Sequence, residues 1–363
     1  MLTPVSRTPR QPIKVLIVDD SAIVRKMLGD AVRQQPDMQV VGGAPDPFIA
    51  RDLILQHKPD VVTLDIEMPR MDGLTFLKRL MEHHPLPVIV ISSLTQSGSM
   101  ASLEALRSGA VEVIPKPGGP YSVGEVTERL VQRIRALRSA PTIRFTRTPS
   151  PASPMDTVSA VTLSGRRVNG LIAIGASTGG TQAIEAVLTR LPADVPPIVI
   201  VQHMPAGFTK AFADRLNGVC PMKVLEAAGN EVLERGVAYV APGNWHMVVE
   251  RFGVQLKTRL TQGPPVHHQR PAVDVLFHSV ARLVGVPTVG ILLTGMGADG
   301  ADGMVTLRQA GAETIAEDEN SCVVFGMPKE AITRGGAGHV ATLLDMPSLI
   351  FRCFEGLSKR RAS

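Results

Sequence analysis

The 363-residue chain is poor in aromatic residues, at 4%. Stacking platforms for single-stranded nucleic acid are therefore not expected. It has three cysteines, Cys220, Cys322 and Cys353, with no CxxC pair. That odd, scattered set argues against a disulfide framework and reads as reduced thiols in a cytoplasmic protein. No apolar run is long enough to span a bilayer, and the first ten residues lack the apolar core of a signal peptide. The chain is accordingly expected to be free of membrane-embedded segments. Composition also excludes a largely disordered chain, since 44% of residues are hydrophobic and 20% charged.

The net charge is +5, and its location decides what it means. Between Leu137 and Val168, five arginines (Arg138, Arg144, Arg147, Arg166, Arg167) face one acid, Asp156, so that stretch alone contributes +4. The excess sits in a connector, not on a folded face, and a nucleic-acid partner is not expected. The same stretch is rich in Pro, Ser and Thr. It separates two regions in which short β-branched runs alternate with helical patterns, the signature of parallel α/β sheets. The organisation expected is a tail over 1–12, a first domain over 13–135, a linker over 136–168, a second domain over 169–356 and a tail over 357–363.

In the first domain, polar residues stand where strands end. Val15–Val18 leads into Asp19-Asp20-Ser21, Val61–Leu64 into Asp65, Val88–Ile91 into Ser92, and Val111–Pro115 into Lys116-Pro117. Ligands of open parallel sheets sit at the carboxyl ends of strands, so Asp19, Asp20 and Asp65 can converge. Clustered carboxylates repel one another unless a hard cation joins them. A helix-capping role could explain any one of these acids, but not the ordered set. The segment resembles a two-component receiver domain, with a flavodoxin-like fold. The resemblance implies phosphorylation of Asp65 by a histidine kinase and Mg²⁺ held by Asp19, Asp20, Asp65 and the backbone carbonyl of Glu67. It also implies Ser92 and Lys116 as switch residues that contact the phosphoryl oxygens. One departure is Val113, where receivers often carry an aromatic.

The second domain opens with Leu171–Ile174 running into Gly175-Ala-Ser177-Thr-Gly179-Gly180, then a helical pattern. The glycines miss dinucleotide-fingerprint spacing but fit GxSxG, a sharp turn expected to expose the serine hydroxyl at a helix N-terminus. A serine nucleophile needs a base oriented by a third group. His203 follows the run Ile198–Val201, about one βαβ unit beyond Ser177. Asp299 follows Thr288–Leu293 in a glycine-rich turn. Ser177, His203 and Asp299 thus take equivalent places in three units, as a triad requires. A Ser–Asp–His order using His339 is the competing arrangement. Ser177 follows the first strand of its domain, which opposes it. Of the other histidines, His267-His268 are expected to point apart on extended chain, and His83, His84 and His278 read as surface or packed residues.

This half resembles the catalytic domain of the chemotaxis protein-glutamate methylesterase. The match rests on Gly-Ala-Ser177-Thr-Gly-Gly, Gln-His203-Met-Pro, Val-Ala-Pro-Gly-Asn-Trp-His246-Met, Arg270-Pro-Ala-Val-Asp-Val-Leu-Phe, Thr-Gly-Met-Gly-Ala-Asp299-Gly and Phe325-Gly-Met-Pro-Lys. It implies a doubly wound, Rossmann-like esterase without a cofactor of its own. Ser177 would be the nucleophile, His203 the base and then acid, and Asp299 its orienting group. The backbone N–H groups of Thr178 and Met296 would form the oxyanion hole. The implied partners are methyl-accepting chemotaxis receptors as substrate and the chemotaxis histidine kinase as phosphodonor, with the protein a monomer. The implied reaction is receptor demethylation, with deamidation of selected glutamines. A phosphorylation-controlled adaptor without catalysis is the contrasting function.

Overall fold

The structure, a computed structural model, describes residues 11–93, 95–117, 122–139 and 169–362. The chain divides into two compact units, each built on its own parallel sheet.

The stretch that carries the first sheet, residues 13–139, alternates strand and helix throughout. In chain order it holds β1 (Ile13–Val18), α1 (Ala22–Arg33), β2 (Met38–Ala44), α2 (Pro47–His57), β3 (Val61–Asp65), α3 (Gly73–His83), β4 (Val88–Ser92), α4 (Gln96–Arg107), β5 (Glu112–Pro115) and α5 (Val123–Ser139). The strands are near-continuous apolar runs, as a sheet covered on both faces demands, and β3 and β4 are buried at every residue. Sheet order is β2-β1-β3-β4-β5, all parallel. The helices start on side-chain caps. Ser21 accepts from Val24 N, Asp46 from Phe48 N and Ile49 N, and Asp72 from Thr75 N. Each such cap contributes about 1 kcal/mol.

The second unit contains β6 (Leu171–Ala176), α6 (Gly180–Leu188), β7 (Ile198–Gln202), α7 (Phe208–Val219), β8 (Lys223–Glu226), β9 (Val237–Val240), β10 (His246–Phe252), β11 (Gln255–Thr261), α8 (Val273–Ala281), β12 (Thr288–Leu292), α9 (Ala301–Gln309), β13 (Glu313–Glu317), α10 (Met327–Thr333), β14 (His339–Ala341) and α11 (Met346–Ala362). Seven strands form one parallel sheet in the order β14-β13-β12-β6-β7-β9-β8, while β10 and β11 pair as an antiparallel hairpin. From β6 the chain first winds outward through β7, then returns to place β12 on the other side of β6. The crevice beside β6 is therefore a topological switch point, where ligands of such sheets bind. In the first unit the equivalent point lies between β1 and β3. Core side chains such as Leu171, Val199, Phe277, Leu292 and Met304 are essentially fully buried. Each contributes roughly 1.5–3 kcal/mol of apolar transfer.

The fold is the α/β class expected, and two expected boundaries need correction. Helix α5 continues to Ser139, past 135, because Ala136 and Leu137 pack into the core. The expected tail over 357–363 is helical through Ala362, because Ile350, Phe354 and Leu357 form one buried stripe along α11. The expected tail at 1–10 and the linker from 140 to 168 lie outside the described residues. Among the described residues, no helix is long and apolar enough to cross a membrane.

Candidate active site

Strand register builds the site in the second unit. Ala176 of β6 pairs with Gln202 of β7, so the next residues, Ser177 and His203, leave adjacent strand ends side by side. His203 N donates to Ala176 O, and Ser177 N donates to Thr294 O, beyond β12. The turn then enters α6 through Gly179, whose φ of +80° disfavours any side chain. A Cβ there would meet the Val323 side chain at 2.6 Å.

Asp299 stands in the loop between β12 and α9. Its Oδ2 lies 2.7 Å from His203 Nε2. It also accepts the backbone N–H of Val273 at Oδ2 (2.7 Å) and of Asp274 at Oδ1 (2.9 Å), the first two residues of α8. Burial alone would raise the pKa of this carboxyl. The imidazole and these N–H groups outweigh it and hold the pKa below the usual aspartate value. His203 thus points Nε2 at the aspartate and leaves Nδ1 for the serine. Ser177 Oγ and His203 Nδ1 are both buried, and neither has a hydrogen-bond partner among the described residues. A hydroxyl and an imidazole nitrogen left open in this way are what a serine nucleophile and its base would need.

The serine was expected to be exposed, yet Ser177 is only 2% exposed. The loop after β12 covers it: a Cβ on Gly295 would sit 2.8 Å from Ser177 Cβ. Thr178 is buried beside it, and Met296 is half-buried in the covering loop. His339 is elsewhere, with Nε2 2.9 Å from Glu313 Oε2 on the neighbouring strand β13. His267 and His268 also depart from expectation. Both have positive φ, so the chain there is not extended, and His267 Nε2 lies 2.9 Å from Asp274 Oδ2. His83 and His84 are exposed and His278 is half-buried, as expected.

Asp274 and Glu317 escaped the sequence reading. Asp274 braces the start of α9 by accepting Gly303 N (2.7 Å). Burial, with Asp299 nearby, raises its pKa against the pull of Gly303 N–H and His267. Its signal was present in the Arg270-Pro-Ala-Val-Asp motif. Glu317 ends β13 as Asp65 ends β3, so the rule that singled out Asp65 would have found it too. Gln202 completes the frame, its Nε2 donating to Ser177 O (2.9 Å).

In the first unit, Asp19 follows β1 and Asp65 closes β3, with Asp20 adjoining. Lys116 Nζ lies 2.7 Å from Asp65 Oδ2 and 3.8 Å from Asp19 Oδ2. Glu67 N donates to Asp65 Oδ1, and Ser92 is buried at the end of β4. Burial, reinforced by Asp65, pushes the Asp19 carboxyl up to about 6. Burial also raises Asp65, against the opposing pull of Lys116. Burial works against the Lys116 charge, but the bond to Asp65 and the surrounding acids raise its pKa overall. Asp19, Asp20 and Asp65 offer ligand atoms within 4.8 Å of one another, and Asp19 Oδ2 is buried without a hydrogen-bond partner. Such a donor set fits a hard divalent cation. Two other groups share that spacing, Glu313–His339–Cys353 and His267–Asp274–Asp302. Neighbouring side chains occupy both: His339 and Arg360 contact Glu313, and His267 contacts Asp274 while Arg334 pairs with Asp302. Val113 is buried in β5 and carries no ring to turn.

Residues 15–128 match the response regulator receiver domain family, and residues 172–350 match the CheB methylesterase family. Full-length relatives share both parts. Protein-glutamate methylesterase/protein-glutamine glutaminase 2 of Syntrophus aciditrophicus is 53% identical over 94% of this chain and 98% of its own. The similarly named protein of Chromohalobacter salexigens is 51% identical over 94% and 96%. That of Methylobacillus flagellatus is 49% identical over 96% and 98%. With such identity along nearly its whole length, the chain belongs to the protein-glutamate methylesterase/protein-glutamine glutaminase family of enzymes, a receiver domain followed by a CheB methylesterase domain.

Proposed function

We propose that the protein is a cytoplasmic serine hydrolase, controlled by phosphorylation, that resets chemoreceptors during sensory adaptation. It removes methyl groups from glutamyl γ-methyl esters on their cytoplasmic helices and deamidates selected glutamines there. The observation that supports this reading is that Ser177, with its buried and unpartnered Oγ, and His203, with one ring nitrogen held by Asp299, leave adjacent strand ends.

Ser177 Oγ attacks the γ-carbonyl carbon as its proton passes to His203 Nδ1. Asp299 stabilises the imidazolium that forms. The tetrahedral oxyanion faces the N–H groups of Thr178 and Met296. His203 then returns the proton to the departing oxygen, and methanol leaves an acyl-Ser177 intermediate. Water, activated by the same imidazole, releases the glutamate carboxylate. With glutamine as substrate the leaving group is ammonia.

Control enters at Asp65, which accepts a phosphoryl group from the chemotaxis histidine kinase. Mg²⁺ held by Asp19, Asp20, Asp65 and the Glu67 carbonyl would supply the charge neutralisation that phosphoryl transfer needs. Lys116 and Ser92 then contact the phosphoryl oxygens. The chain works as a monomer and needs no cofactor at the esterase site.

Methanol release from methylated receptor membranes, with and without a small phosphodonor, tests both halves of the reading. Phosphodonor should accelerate the wild type and leave Asp65→Asn slow. No methanol under either condition would favour a non-catalytic adaptor. Equal rates with and without phosphodonor would remove phosphorylation control.

A further inference from the structure

Among the described residues, Glu317 is the one fully buried carboxylate at the carboxyl edge of the second sheet for which the proposed mechanism has no use. It is 0% exposed. Its Oε2 accepts the backbone N–H of Thr294 (2.7 Å), and its Oε1 accepts the Ser321 hydroxyl (3.0 Å). The first contact bears on the covering loop, and the second ties Glu317 to the loop that follows β13. Thr294 O accepts Ser177 N, and Thr294 Oγ1 donates to Thr178 O (3.0 Å) while accepting Val324 N (2.9 Å). Gly295 N donates to Val324 O, and Gly295 O accepts Met327 N (2.8 Å). A short chain of bonds therefore runs from Glu317 through Thr294 to the serine turn on one side and to the peptide preceding Met296 on the other.

We infer that Glu317 is a positioning residue: by holding the Thr294 N–H it sets the separation of the Thr178 and Met296 N–H groups that receive the oxyanion. The inference rests on the triad reading above. A buried N–H left without its acceptor keeps its full desolvation cost, and the loop can escape that cost only by moving. A shift well under 1 Å suffices to blunt donors that must meet an oxyanion at hydrogen-bonding distance.

The arrangement also has a protonation state. Every contact made to Glu317 is a donor, so the ionised form suits it, but burial pushes its pKa up to about 7 despite the Thr294 and Ser321 bonds. The titratable groups facing it are Asp318, next in the chain, and the Cys322 thiol from the loop beyond. Neither offers positive charge. Protonation weakens a charge-assisted bond to roughly half its strength. Protonation of Glu317 should therefore loosen its hold on Thr294 and slow turnover.

The test compares Glu317→Ala, Glu317→Gln and Ser177→Ala with the wild type in the phosphorylated full-length chain, following methanol release from methylated receptor membranes between pH 5.5 and 8.5. Glu317→Ala should lower kcat about 10–100-fold with KM nearly unchanged, about 1.4 kcal/mol per tenfold. Glutamine keeps the acceptor for Thr294 and a donor toward Ser321, so Glu317→Gln should stay within about threefold at pH 8.5. Its acidic limb should lack the step that protonation of Glu317 adds to the wild type. Thermal melts and phosphoacceptance at Asp65 check folding; if the alanine variant is unfolded, the limb of the glutamine variant decides. Wild-type kcat in folded Glu317→Ala, or identical limbs for glutamine and wild type, would overturn the inference. An active Ser177→Ala would instead overturn the triad reading beneath it.

Discussion

Two aspartates at equivalent places in their sheets end up with opposite acidities. Asp19 follows β1 at the switch point of the first sheet, and Asp299 stands in the loop after β12 at the switch point of the second. Each is at most 2% exposed. Burial raises both, and only the partners differ. Asp19 faces Asp65 and Asp20, with Lys116 at 3.8 Å, and its pKa climbs to about 6. Asp299 faces an imidazole and two N–H groups at the start of α8, and its pKa falls. One sheet edge is a charge cluster suited to a cation and an incoming phosphoryl group. At the other edge the carboxylate is satisfied within the protein. Burial by itself does not set the sign; what the fold aims at the carboxylate does.

Breaking the satisfied side should have the largest effect. His203→Ala should cost on the order of 10⁶-fold in turnover and Asp299→Asn about 10⁴-fold, both measured as methanol release. Asp299→Asn also removes an oxygen that accepts N–H at the α8 terminus, so its melting temperature should fall as well.

The crowded side should behave in the opposite way. The Asp19 pKa is raised from 3.8 to about 6, so its contribution to stability is fully present below 3.8 and is lost as pH rises through 6. Asp19→Asn removes that cost. Without divalent cation at pH 8, the variant should be more stable than wild type by up to about 3 kcal/mol in denaturant titration. The gain should vanish near pH 4, and phosphoacceptance at Asp65 should be lost. Equal stability at pH 8 would mean that Lys116 already neutralises the cluster. The smallest effect is expected from His339→Ala, whose partner is Glu313: turnover should stay within about twofold of wild type.

Much of this was legible in sequence because both sheets are buried on both faces and so print continuous apolar runs. Their ends could be read, and the polar residues there (Asp19, Asp65, Ser92, Lys116, Ser177, His203) are the ones the register brings to the edges. What could not be read depends on loops returning from afar. The N–H groups that hold Asp299 come from residues 25 and 26 positions earlier in the chain. Which imidazole nitrogen faces Asp299, and the cover that buries Ser177, are likewise set by tertiary packing. Helix α11 was missed beyond 356 because Leu357 stands alone among polar neighbours, its burial visible only with Phe354 and Ile350 beneath it.

The central claim is that Ser177 is the nucleophile of a hydrolase acting on receptor esters. It is tested most directly by methanol release from methylated receptor membranes by phosphorylated Ser177→Ala, purified and shown to melt like wild type. The account expects turnover to fall by on the order of 10⁶-fold, to the background of the membranes alone, with Asp65 still phosphorylated normally. Methanol release near the wild-type rate would contradict it.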